Sequence, residues 1–183
     1  MNKFFDKNRE LIWEKFIEDP ENPSLVFSNR NNLLDRWAKK THETYGDKSH
    51  FVTSLYSDFL GGESDMFYCL KPEEQGEPTL IGAVIITQPI YKGNNAVIEY
   101  IIVDPRQRNS GYATRMVQSI TNNKQFFAGA NHKGSFEAVV NENNIPSQMV
   151  FIKNNYEAIT KSALVGNSQN LRFFATERSL SKE

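Results

Sequence analysis

The sequence predicts an α/β (α+β) chain whose sheet is mostly antiparallel and flanked by helices. Three observations lead there. Apolar residues recur at helical spacing in the first third, the period shortens to two after residue 62, and from residue 97 strand-like and helix-like runs alternate. At 183 residues the chain is predicted to be one domain over 1–183, with 1–62 as its helical N-terminal part. That length suffices to bury a substantial core, and no repeat, low-complexity tract or linker divides it.

Phe4, Asn8, Leu11, Ile12, Lys15 and Phe16 recur at helical spacing, and Asp19-Pro20 ends the run, which predicts a first helix. Leu33, Leu34, Trp37 and Ala38 predict a second, short one after an Asn-rich entry. Phe51, Val52, Leu55, Tyr56, Phe59 and Leu60 form a third stripe, with Ser49 as N-cap and Gly61-Gly62 as the stop. A strand follows from Asp65 to Lys71, then an acidic turn from Pro72 to Pro78 and a Leu/Ile/Val-rich strand from Thr79 to Gln88. The turn Lys92-Gly93-Asn94-Asn95 leads into a strand at Val97 to Val103, so two successive hairpins make an antiparallel meander. Beyond it the sequence predicts a helix from Tyr112 to about Phe127, a strand at Phe136 to Asn141 and a helix from about Asn144 to Asn154. The final strands are expected near 156–164 and 170–176.

Bulk properties narrow the function classes. Hydrophobic content of 39% with 12% aromatics suits a folded soluble chain. A net charge of −1 argues against a nucleic-acid binder acting through bulk charge. No apolar run reaches bilayer-spanning length, so no membrane partner is expected. The start Met1-Asn2-Lys3-Phe4-Phe5-Asp6 turns polar too soon for a signal peptide. Cys69 is the only cysteine, which leaves no internal disulfide and no cysteine zinc cluster, and a reducing cytoplasm is expected. His42, His50 and His132 lack metal-ligand spacing, so no metal is expected, and no Ser/His/Asp set is assignable. Cys69 reads as a small buried hydrophobe, and Trp13 and Trp37 read as core residues.

The stretch Arg108-Asn109-Ser110-Gly111-Tyr112-Ala113 carries the most chemistry. It joins the apolar strand at 97–103 to a helix start. The free N–H groups of a first helical turn converge there, and the helix dipole favours negative charge. Glycine lets the backbone approach a ligand closely. A phosphate-bearing cofactor fits this arrangement. An ordinary strand-to-helix turn without ligand satisfies the same local pattern. The P-loop ending in Gly-Lys-Ser/Thr and the three-glycine dinucleotide fingerprint are both absent.

Two separated motifs resemble those of the GNAT superfamily of acetyl-CoA-dependent N-acetyltransferases. The first runs from Val103-Asp104-Pro105-Arg106-Gln107 to Ala113 and resembles the family's strand end, Val-x-Pro turn and Arg/Gln-x-x-Gly-x-Gly/Ala loop. The second runs from Val140-Asn141-Glu142-Asn143-Asn144-Ile145-Pro146-Ser147 to Phe151-Ile152-Lys153-Asn154-Asn155-Tyr156 and resembles the family's strand, Asn, short helix and closing Gly-Phe. The likeness covers roughly residues 65–176. It implies that the backbone N–H groups of Arg108, Asn109, Ser110, Gly111, Tyr112 and Ala113 bind the pyrophosphate of coenzyme A. It also implies a sheet splayed at the cofactor site, with backbone around Ile101, Ile102 and Val103 pairing with the pantetheine arm. Asn144 matches a pantetheine-contacting Asn, and Phe151 stands among the expected cofactor contacts. Arg106, Arg108 and Arg115 could offset the cofactor's charge, or be solvated surface arginines.

The implied reaction moves an acetyl group from acetyl-CoA to a primary amine of a small molecule or peptide, by direct attack in a ternary complex. An alkyl amine with a pKa of about 10.4 is scarcely free base at neutral pH, so a positioned base helps by about 10² to 10⁴-fold. Glu99 is the candidate base: it is the sole charge in the strand Val97 to Val103, where burial on both faces would raise its pKa. A glutamate facing a polar groove or paired with an arginine is the other reading. Many family members carry at position 151 a Tyr that protonates the departing thiolate, and Phe151 cannot donate. Either the thiol, of ordinary pKa about 8.5, leaves as thiolate, or Ser147, Tyr156 or Tyr112 substitutes. Asn155 replaces the family's usual Gly, and Asn is the next residue to tolerate a left-handed helix end. The Phe at 151 keeps a second reading open, a non-catalytic acyl-CoA-binding or sensing module of the same fold. The acceptor is not specified by the sequence, and a monomer and a homodimer are both compatible with it.

Overall fold

The computed structural model describes residues 3–6, 10–16, 29–37, 39, 64–88, 95–130, 132–165 and 168–176. The described strands are β1 Lys3–Phe5, β2 Ile12–Lys15, β3 Ser64–Lys71, β4 Thr79–Thr87, β5 Ala96–Val103, β6 Phe136–Asn141, β7 Tyr156–Val165 and β8 Ser168–Ala175. They form one eight-stranded sheet in the order β1-β2-β3-β4-β5-β6-β8-β7. The described helices are α1 over 29–37, α2 Tyr112–Asn122, α3 Lys124–Ala128 and α4 Ile145–Lys153. The chain divides into two compact units, Met1–Ile85 with Tyr100–Tyr112, and Ile86–Glu99 with Ala113–Glu183.

The first unit corrects one expectation. The predicted helix over Phe4 to Phe16 is an antiparallel hairpin, in which Phe4 pairs with Trp13 and Phe5 with Ile12. Leu11, Ile12 and Trp13 are buried in succession, which a strand between two layers permits and a one-faced helix does not. Asp6 closes the turn: its backbone N–H donates to the Leu11 carbonyl at 3.0 Å and its carboxylate accepts from the Leu11 N–H at 3.1 Å. Pairing of β2 with β3, Trp13 against Cys69, then overrides the local helical period. Cys69, Trp13 and Trp37 are core residues, as expected.

α1 supplies Leu34 and Trp37 to a core made with Ile12, Met66, Tyr68, Leu70, Leu80, Ile85 and Ile102. Its polar side is tied to the same sheet. The Tyr68 hydroxyl donates to the Asn31 side chain at 2.7 Å, Arg30 pairs with Glu14 at 3.0 Å, and the Arg30 guanidinium lies 5.2 Å from the Tyr68 ring centre. The predicted third helical stripe, with Ser49 and Gly61-Gly62, lies outside the described residues, as do His42, His50 and the turn from Lys92 to Asn94.

In the second unit β5 and β6 run parallel, Ala96 against Phe136 and Ile98 against Ala138. A parallel pair requires a crossover, and α2 and α3 supply it. The single helix expected from Tyr112 to about Phe127 is interrupted at Asn123, whose side-chain amide donates to the Ser119 carbonyl at 2.7 Å and takes a bond the helix would need. β8 lies antiparallel between β6 and β7, with Ala138 against Phe173 and Tyr156 against Ala175. One face of this part is closed by α4, where Phe151 stacks on Phe173 with ring centres 5.8 Å apart.

Candidate active site

The turn between β5 and α2 is built by its first residue. Asp104 is buried, its N–H donates to the Ile81 carbonyl at 2.9 Å, and its carboxylate accepts from the Arg106 N–H at 2.9 Å. This caps the short 3₁₀ turn Pro105–Gln107, with Pro at the first position where an N–H is not needed. Arg106 also wraps its guanidinium onto Asp104, Nη2 to Oδ2 at 2.7 Å. Burial alone would raise the Asp104 pKa. The Arg106 hydrogen bonds and the charges of Arg106 and Arg108 outweigh it and hold the carboxyl below the usual carboxylate range. Arg106, one of three arginines considered for cofactor charge, is therefore engaged with Asp104.

From there the chain turns through two left-handed residues, Asn109 at φ 63° and Gly111 at φ 79°. Asn109, Ser110 and Gly111 are exposed, and Tyr112 and Ala113 open α2. A Cβ placed on Gly111 would meet nothing within 4 Å, so the positive φ, and not crowding inside the protein, calls for glycine. An open glycine turn at the start of an eleven-residue helix offers backbone donors to an anion. The residues present fit a pyrophosphate.

β5 differs from expectation at Glu99. The strand is not buried on both faces: Ile98 and Ile102 are buried, whereas Glu99 is exposed and Ile101 half-buried. The alternation leaves the carboxylate on the open side, so the premise of a buried charge does not hold. The register between β5 and β6 covers Ala96 to Ile98, and β5 runs on to Val103.

In the second unit Asn144 is the N-cap of α4, its Oδ1 accepting from the Ser147 N–H at 3.2 Å. Ser147 thus sits in the first helical turn beside Asn144. Gln148 ties that turn to the end of β6, donating to the carbonyls of Asn141 at 3.1 Å and Glu142 at 2.7 Å. At the other end Asn154 donates to the Thr114 carbonyl of α2 at 3.1 Å and to Val150 at 2.8 Å. Asn155 follows at φ 59°, the left-handed helix end expected of the residue in the family's Gly position.

Phe151 is buried, its ring 5.3 Å from Tyr156 and stacked on Phe173. The Tyr156 hydroxyl is also interior, 2.9 Å from Thr121 Oγ1. Thr121 gives its single hydrogen to the Val117 carbonyl at 2.9 Å, so Tyr156 must be the donor to Thr121. Burial pushes the Tyr156 pKa well above the usual tyrosine value, with the Thr121 bond acting in the opposite sense. Its proton is held in a structural bond. Sequence reasoning missed the Asp104 cap and the Thr121 partner. An Asp-Pro pair after a strand signals the first, whereas nothing local signals a contact 35 residues away.

Among the described residues no group of three or more His, Cys, Asp or Glu gathers as metal ligands, and no helix is long and apolar enough to cross a membrane. Comparison with solved structures finds the same fold repeatedly. The GNAT-family acetyltransferase of Bacillus anthracis matches with a TM-score of 0.62 at 16% identity, covering 96% of this chain and 99% of its own. Spermidine N-acetyltransferase from Vibrio cholerae, solved with CoA and spermine, matches with a TM-score of 0.61 at 15% identity, covering 91% and 95%. No curated protein matches the sequence. The family model described as Acetyltransferase (GNAT) family matches residues 30–154, which spans α1, the meander, the glycine turn and α4. The chain belongs to the GNAT acetyltransferase family.

Proposed function

We propose that this chain works as one domain and transfers an acetyl group from acetyl-CoA to a primary amine, by direct attack in a ternary complex. The exposed Gly111 turn at the head of α2 is the observation that carries this reading, because it presents backbone donors where a pyrophosphate needs them. The N–H groups of Arg108 to Ala113 hold the pyrophosphate. Ile101 to Val103, beyond the stretch of β5 that pairs with β6, offer backbone to the pantetheine arm, and Asn144 contributes its amide. The cofactor, when bound, supplies an acetyl group activated as a thioester. Spermine is an amine bound by the Vibrio cholerae relative, which favours a small-molecule amine as acceptor here.

Glu99 takes the proton that the acceptor ammonium must lose before its nitrogen can attack. Its exposure on the open side of β5 gives it access to water and to an incoming cation. Phe151 has no proton to give, and Tyr156 has spent its own on Thr121, so the thiol departs as thiolate or takes a proton near Ser147. Initial rates over both substrates test the scheme. Intersecting double-reciprocal lines with acetylated amine detected by mass are expected. Parallel lines, the sign of an acylated protein intermediate, would refute direct attack. Saturable CoA binding without amine-dependent product would instead identify a binding module.

A further inference from the structure

We infer that the open face of the second unit's sheet binds the carboxylate of the acceptor through Arg172, so that the preferred acceptor is a small amine bearing a carboxylate, an amino acid. This rests on the amine-acetylation reading above. Arg172 on β8 stands opposite Val139 on β6, and paired residues share a face. On the other side of β6, Val97 stands opposite Glu137, and Glu99, two residues further along β5 and just past the last paired residue Ile98, lies on that same face. Glu99 and Arg172 therefore stand on one face, on the strands to either side of β6.

The chemistry of the three positions is unequal in a useful way. Val139 is 38% exposed, a large apolar residue at the floor between two charges. Arg172 is half-buried, and its Nε is buried with no hydrogen-bond partner. A guanidinium brings five donors in a planar fork, and a buried donor left unmet is costly. Among the described residues Arg172 forms no ion pair. The other described carboxylates of this face do not meet that need. Glu137 and Glu157 stand opposite Phe174, two residues along β8 from Arg172, and Glu137 Oε2 takes the Asn95 amide at 3.5 Å. A planar carboxylate is the partner a guanidinium fork fits best. An amino acid laid over Val139 sets its carboxylate against Arg172 and its ammonium toward Glu99, the proposed base. A polyamine has nothing to give Arg172 and gains only from the glutamates.

Paired acceptors test the inference: an amino acid against its own primary amide, each measured for turnover and for calorimetric binding in the presence of CoA. Wild type should use the amino acid about 10 to 100-fold better in kcat/KM, the range of a lost hydrogen bond to a charged group. Arg172→Ala should raise KM for the amino acid by that factor, leave the amide unchanged, and keep the CoA affinity and melting temperature of wild type. Arg172→Lys should recover part of the preference. Equal use of acid and amide by wild type, or an equal loss for both in Arg172→Ala, would overturn the inference, and so would preference for spermidine over every amino acid. Arg172-dependent amino-acid binding with no turnover would uphold this site and defeat the transferase reading instead.

Discussion

Replacing Gly111 by alanine separates backbone strain from ligand contact, because the structure assigns the two effects different sizes. At φ 79° an L residue pays about 1–2 kcal/mol for the left-handed conformation. The added Cβ meets nothing within 4 Å, so no packing clash adds to that cost. For a chain of this length about 1 kcal/mol moves the melting temperature by about 2–4 °C, giving a fall of about 2–8 °C for the free protein. The effect on CoA is separate. The methyl would stand on the exposed turn proposed to hold the pyrophosphate, and loss of one charge-assisted backbone bond is worth about 1.5–3 kcal/mol, or about 10 to 100-fold in Kd. Thermal melts and calorimetric titration with CoA read the two quantities independently. Asn109→Gly is the control. It keeps every backbone N–H and relaxes φ 63°, so it should melt no lower than wild type and bind CoA as tightly. A Gly111→Ala protein that melts lower yet binds CoA with wild-type affinity would refute the placement of the pyrophosphate.

Other perturbations have equally definite outcomes. Tyr156→Phe should cost about 1 kcal/mol in a melt and leave kcat unchanged, since Thr121 keeps its bond to Val117, whereas a large fall in kcat would make Tyr156 the proton donor after all. Asp104→Ala should cost about 1 kcal/mol through loss of the cap. Because the Asp104 pKa is lower folded than unfolded, its contribution is present above about 3.9 and is lost as pH falls through the folded value. Wild type should therefore lose more stability than Asp104→Ala below that pH, and parallel acid melts would contradict the assigned depression. Asn155→Gly should raise stability by about 0.5–1 kcal/mol in denaturant titration, since φ 59° costs glycine nothing. Glu99→Gln should slow turnover by about 10² to 10⁴-fold near neutrality and flatten the acid limb of the pH–rate profile, and a wild-type profile would remove Glu99 as base.

The legible part of the sequence was the part whose signals are local. β3, β5 and β6 follow period-two or continuous apolar runs between turn residues, and their observed limits lie within a residue or so of the expected ones. Asn155 announced a left-handed helix end by residue type, and it occurs, whereas the cap that Asn144 forms was not read from the sequence. The misread strand pair β1 and β2 shows the opposite case: a short apolar run satisfies both periods, and pairing with β3, more than 50 residues away, decided between them. The exposure of Glu99 went unread for a related reason. Whether a central strand is covered on both faces depends on which helices lie over it, and the strand itself does not record that. The Arg106 pairing and the Tyr156 hydroxyl each depended on one side-chain partner, Asp104 two residues away and Thr121 across the fold.

Acceptor-dependent release of free thiol from acetyl-CoA tests the central claim most directly. Thiol release should require an amine, match acetylated product one for one, and fall sharply in Gly111→Ala when acetyl-CoA is subsaturating. Tight CoA binding with no amine-dependent thiol over a broad panel of amines would contradict it.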